Sequence, residues 1–472
     1  MKRLKITIVI ALGAMICASC NKWLDVQPNS QIKDSEMFST ESGFKEALAG
    51  VYTLLVNESL YTKELRFGML SVLAQEWESY NTTYNDDAVY DYDATYPENR
   101  IFAIWKGMYN AIANDNLILE AIDEKKSVFT GVNYDVIKGE ALALRGFIHF
   151  DLLRMFGANY QTDPVKPAIP YVTAYSPKQT TQFTVYEVLM KIVADLEESL
   201  TYLQQDPIFT GQEITEMVDN GYLKNRQLHL NYYAVEGLLA RVYLYMGEYD
   251  LAESYAKDVI NSGKFTFTKQ ADLLSGKDYT CAPEHLFAID VADQETISET
   301  YFSQEGGTSL FSMSYSGLLQ LFENNTDDYR YLYLFSSGTG ANLDKRYLAK
   351  YNTSTADDSY YRNKMVMIKL SEMYYILAEC ENHGGRSTMS SFNAVRKARG
   401  LNLLTRDPSD FRSVMTADFR KEFIGEGQLF FYFKRMNVKN IPGSDKNLVE
   451  MRAYTFPIPD AEVDAANREN NR

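Results

Sequence analysis

Between Glu76 and Arg100 the chain sets Trp77, Tyr80, Tyr84, Tyr90, Tyr92 and Tyr96 among Asn81, Asn85, Asp86, Asp87, Asp91 and Asp93. An aromatic ring offers an apolar face and, in Tyr and Trp, a polar edge, while amides and carboxylates supply directional hydrogen bonds. That pairing suits a ligand dense in hydroxyls, each of which must recover in the site the hydrogen bond it gives up in water. Trp77, Tyr80, Asn81 and Tyr84 meet the demand in composition. The acids invite a catalytic reading as well, since hydrolysis of a glycosidic bond uses two carboxylates about 5 to 10 Å apart. Glu76, Glu78, Asp86 and Asp87 are near enough along the chain, but nothing in their spacing selects a pair. A calcium loop at Asp86, Asp87, Asp91 and Asp93 lacks the glycine and closing glutamate of an EF-hand. His149, His229, His285 and His383 are scattered, and neither Gly306-Gly307 nor Gly338-Thr339-Gly340 leads into the Lys-Ser/Thr of a phosphate loop. No catalytic residue, metal or cofactor is expected.

The elements that must carry these residues read as helical. Ile101, Trp105, Met108, Ile112, Leu119 and Ile122 share one helix face, and Ile137, Ala141, Leu144, Ile148, Leu152 and Met155 another, with Gly157 as a stop. Trp105 therefore belongs to the core, and His149 to packing. Asn231 to Gly263 is a tetratricopeptide-like hairpin, with Leu239, Ala240 and Tyr243 before the turn at Gly247 and Ala252, Ala256 and Val259 after it. Hairpins are expected at about 100–157, 185–263 and 365–400, within one domain of residues 20–472. Two segments lack a helical period, 76–100 and 285–360, and long loops of that kind tend to be functional.

The amino terminus reads as a lipoprotein signal of residues 1–19. Lys2, Arg3 and Lys5 precede the apolar run Ile6 to Ile16, and Ala18 and Ser19 stand directly before Cys20. Acylated at Cys20, the mature chain is anchored to a membrane without crossing it. The net charge of −16, carried by 63 acids against 47 Lys and Arg, excludes nucleic acid as a partner and disfavours polyanions unless a local basic patch overrides the average. With Cys17 removed and Cys20 acylated, Cys281 and Cys380 are the cysteines that remain, too few for a disulfide framework.

Several segments together resemble the SusD/RagB family of outer-membrane, glycan-binding lipoproteins of Bacteroidota. They are Cys20-Asn-Lys-Trp-Leu-Asp-Val-Gln-Pro28, Glu140 to Gly157, Ile368 to Glu379, Val395 to Leu401, Arg420 to Gln428 and Phe456-Pro-Ile-Pro-Asp-Ala-Glu-Val-Asp464. A departure is the closing Asn467-Arg-Glu-Asn-Asn-Arg472, where the family often has an Asn-Pro-containing tail. The resemblance implies a mostly α fold of tetratricopeptide-like hairpins with few short strands and a loop-rich ligand face. It also implies exposure on the cell surface, and a TonB-dependent SusC-like transporter over which the protein sits as a lid in nutrient uptake. The implied glycan face draws on the first loop and on a later one, here Tyr301, Phe302, Phe311 and Tyr315; the two phenylalanines read more readily as packing. Trp77 is expected to hold ligand without holding the fold. A surface glycoside hydrolase and a protein-binding scaffold are the competing functions, and the Arg and Glu residues of Arg420 to Gln428 read as an ion-paired seam.

Overall fold

The long helices are α1 (Glu41–Leu55), α2 (Thr95–Ile122), α3 (Asn133–Phe156), α4 (Val185–Leu203), α5 (Tyr232–Met246) and α6 (Tyr249–Asn261). After α7 (Gln294–Phe302) come α8 (Leu370–His383), α9 (Met389–Ala398), α10 (Phe411–Glu422) and α11 (Gln428–Arg435). This computed structural model describes residues 36–303, 311–353, 359–441, 446–466, 468, 469 and 471. Cys20, Trp23, Gly306 and Gly307 lie outside the described residues.

α3 is the axis of the fold, packed by α2 on one side and α4 on another. Gly139 and Gly146 make the second contact possible: a Cβ at Gly139 would meet the Leu203 side chain at 2.7 Å, and one at Gly146 would meet Leu196 at 3.0 Å. α4 starts where Thr184 and Glu187 cap one another reciprocally. α5 starts at Asn231, whose side chain accepts from Ala234 N, and ends at Gly247, held at φ 79° to turn the chain into α6. α6 in turn packs on α8, and α8 on α9, so the hairpins stack.

Because α3 is enclosed on all sides, its polar residues find partners inside. Arg145 grips Asp195 at 2.6 and 2.7 Å, and Glu140 takes Arg226 and His229 at 2.5 and 2.9 Å. His149 donates from Nδ1 to Arg145 O, accepts Val172 N at Nε2 and stacks on Tyr171. Burial lowers its pKa to about 3, so the ring is neutral.

The strands are short. β1 (Pro167–Pro170) pairs with β2 (Gln182–Thr184), and β3 (His285–Asp290) runs antiparallel to β7 (Lys364–Lys369). Between them β4 (Met313–Ser314), β6 (Lys345–Leu348) and β5 (Phe335–Ser337) form a three-stranded sheet in that order. An ion-paired seam ties β7 to the last helices. Glu422 meets Arg399 at 2.6 Å and Arg330 at 2.9 Å, while Glu426 meets Lys350 at 2.6 Å and Lys369 at 2.8 Å. Burial alone would raise the Glu426 carboxyl, but Lys350 and Lys369 overcome it and hold it at about 2. Among the described residues no helix is long and apolar enough to cross a membrane.

Candidate functional site

The first aromatic loop turns inward at its start. Gln75 adopts a left-handed conformation, φ 56°, directly after the short helix Met69–Leu73. Trp77 is consequently 5% exposed, its indole N–H donating to Phe67 O at 2.8 Å and its ring packed on Phe302 and Phe311. Tyr84 is interior too; its hydroxyl donates to Glu64 at 2.9 Å, and the Arg100 guanidinium lies 3.9 Å over its ring. Burial pushes that hydroxyl far above the usual phenol range, so it stays a donor. The expectation that Trp77 and Tyr84 face ligand is therefore corrected: both faces of their chemistry, ring and polar edge, are consumed inside the protein. Phe302 and Phe311 join them, gathered with Tyr301 around Phe67.

The remaining candidates stay at the surface, and the two loops are joined there. Glu78 N and Ser79 N both donate to Ser312 O, at 3.1 and 3.0 Å, and Ser312 N returns a bond to Ser79 O at 3.0 Å. Glu78 Oε2 adds a bond from Ser314 N at 2.8 Å. These bonds put Tyr80 and Asn81 beside the segment that ends in Tyr315. Tyr80 is half-buried, with its hydroxyl raised by burial. Asn81 is half-buried as well, its carbonyl oxygen accepting Thr83 N at 2.9 Å to open a single helical turn. Tyr301 is half-buried and donates to Glu58 at 3.0 Å. Tyr315, 41% exposed, begins the short helix Tyr315–Leu321, which Ser314 caps by accepting Gly317 N.

A neighbour of Tyr315 that no sequence motif signals is Arg346. The Arg346 guanidinium, on β6, sits 4.6 Å from the Tyr315 ring, fixed by the carbonyls of Leu343 and Lys345 at 2.9 and 2.8 Å. Only the pairing of Met313 with Arg346 across the sheet brings it there, and no local motif announces that register. Tyr96, half exposed at the start of α2, is the further open ring of the region.

The loop carboxylates are engaged in separate contacts. Glu76 is buried and accepts Gly425 N at 3.0 Å, and burial raises its pKa to about 7. Asp87, wholly buried, bonds Arg100 at 2.6 Å, while Glu78 is spent on Ser314 N. Among the described residues no group of three or more His, Cys, Asp or Glu is arranged to hold a metal ion.

Comparison with known proteins gives consistent matches. A family model described as starch-binding and associating with the outer membrane matches residues 22–244, and one for the SusD family matches 298–468. A SusD-like protein of Formosa agariphila is 22% identical, covering 92% of each chain. A SusD superfamily crystal structure from Bacteroides vulgatus superposes with a TM-score of 0.72 at 21% identity, over 92% of this chain and 98% of the other. A structure from the same species titled a SusD-like carbohydrate binding protein gives 0.67 at 20% identity, over 84% of each chain.

Proposed function

Because the chain belongs to the SusD family, we propose that it binds carbohydrate at the outer membrane and delivers oligosaccharide uncut to a SusC-like, TonB-dependent transporter. On this reading Cys20 carries the acyl anchor and holds the protein on the cell surface. Capture raises the oligosaccharide concentration at the transporter mouth, so the affinity for any one chain need not be high.

The observation that carries the proposal is the backbone junction of Ser79 with Ser312, beside which Tyr315 is exposed. Arg346 lies over the Tyr315 ring, and the ring is 41% exposed, which leaves apolar surface to meet the C–H groups of a sugar. Tyr80 and Asn81 follow Ser79 directly, and Phe311 N, next to Ser312, donates to Tyr301 O at 3.0 Å, so all three residues border the junction. Supporting a binding rather than a cutting role, Glu76 and Asp87 are committed to interior partners.

The test is a calorimetric screen of neutral oligosaccharides with assay of reducing ends. Saturable binding, with no new reducing ends and co-purification with a large barrel, is expected. Release of reducing ends identifies a hydrolase instead, and a helical partner without any saccharide binding identifies a scaffold.

A further inference from the structure

A cleft of about 800 Å³ lies between α2, the segment 170–180 and the residues Glu462 and Arg468, and the site above makes no use of it. Its walls are fixed. Tyr109 donates to Pro170 O at 2.9 Å and Asn116 to Val172 O at 3.1 Å, which pins the segment to α2. Across from them Arg468 donates to Thr180 O at 3.0 Å and pairs with Glu462 at 3.3 Å, and Gln179 donates to Ala465 O at 2.6 Å. A Cβ at Gly107 would meet Leu60 at 3.3 Å, so the loop carrying Ser59 closes against the helix there. A volume of this order accommodates a small organic ligand.

What lines the cleft is specific in kind. Phe102, Lys106 and Asn110 follow one another at every fourth position of α2, one above the next, about 6 Å apart along the axis. Phe102 is 43% exposed, a large ring left open on a helix whose other big apolar residues are mostly inside. Lys106 and Lys178 both border the space, and neither has an ion pair among the described residues. In a chain of net charge −16, two unpaired ammonium groups beside Arg468 and its partner Glu462 make the lining of this cleft net positive, although the adjoining surface that shares Phe102 carries Asp93, Glu98 and Asp460. A neutral sugar can accept hydrogen bonds from the lysines but leaves their two charges uncompensated, and a bare anion leaves the Phe102 ring without an apolar partner. A sugar ring bearing a negative group uses all of them: its C–H face on Phe102, its hydroxyls on Asn110 and its charge between the lysines.

We propose that this cleft is a second saccharide site and that it takes anionic oligosaccharides, with the charge on a uronate carboxylate or a sulfate ester. The proposal rests on the carbohydrate-binding reading of the family. It adds to that reading a class of ligand that the overall charge of the protein argues against, and it places that ligand away from Tyr315.

Titration calorimetry on the full mature chain tests it with three probes: a uronate trisaccharide, its carboxyl-reduced neutral form and a sulfated trisaccharide. At least one charged probe is expected to bind about tenfold or more tightly than the neutral form, with affinity that falls as salt rises toward about 0.5 M. Lys106→Ala combined with Lys178→Ala removes that preference while the melting temperature holds, since both side chains are exposed. Phe102→Ala weakens the charged probe, and Tyr315→Ala does not reduce the preference for the charged probe over its neutral form. Equal affinity for charged and neutral probes overturns the proposal, as does a preference that survives the double substitution. If neutral oligosaccharides bind in a Tyr315-dependent way while charged ones gain nothing, the cleft alone is refuted. If no saccharide binds at all, the family reading falls with it.

Discussion

Residues 76–93 and the helix α2 that follows them reverse one another's promise. The loop is dense in rings, yet Trp77, Tyr84, Tyr90 and Tyr92 all point inward. The helix carries a regular core stripe, yet it leaves Tyr96 and Phe102 open. The difference has a physical origin. A helix satisfies its own backbone and can spare a ring for the surface, whereas a long irregular loop must offset the entropy of its ordering by burying side chains. Ring density in a loop therefore measures what the loop needs for its own order as much as what it can offer a ligand.

The sharpest way to break that contrast is Trp77→Ala. With the indole enclosed and its N–H bonded to Phe67 O, the loss is expected to be about 3 to 5 kcal/mol, seen as a large fall in melting temperature. A fall of less than about 1 kcal/mol would mean that the ring is not what holds the loop.

Acid and base separate the seam from the loop. The Glu426 carboxyl sits at about 2 in the fold, below its unfolded value. Its contribution, about 3 kcal/mol, is present above about pH 4.5 and lost as pH falls toward 2. Glu76 is raised to about 7, so its contribution has the opposite sense, present below about pH 4.5 and lost as pH rises through 7. Denaturation midpoints across this range are expected to drop at the acid end in both the native protein and Glu76→Gln, whereas the decline between about pH 5 and 8 is expected to lessen in Glu76→Gln. Matching curves for the two proteins above pH 5 would contradict the interior placement of Glu76.

The helices were legible because a periodic stripe and its end signals are local. Trp105, Gly157, Asn231 and Gly247 all serve as their positions suggest. The seam around Glu422 and Glu426 could be named as well, but the ion pairs of α3 could not, because their partners Asp195 and Arg226 come from α4 and from the 206–229 segment far along the chain. The two loops could be named from the sequence, and they do meet at Ser79 and Ser312. Which rings face out could not, because Phe67, Phe302 and Phe311 decide it from distant points in the chain. Arg346 was invisible for the same reason, and Phe102 because an exposed ring on a helix leaves no mark in the pattern.

Smaller in energy but closest to function is Tyr315→Ala. The ring is exposed, so stability is expected to change by no more than about 0.5 kcal/mol. The measurement is calorimetric titration of a neutral oligosaccharide into the native protein and this variant, with the recovered sugar weighed by mass spectrometry. The account predicts binding weakened about tenfold, a cost of about 1.4 kcal/mol, and sugar returned at its original mass. Unchanged affinity in the variant, or shortened sugar from the native protein, would contradict it.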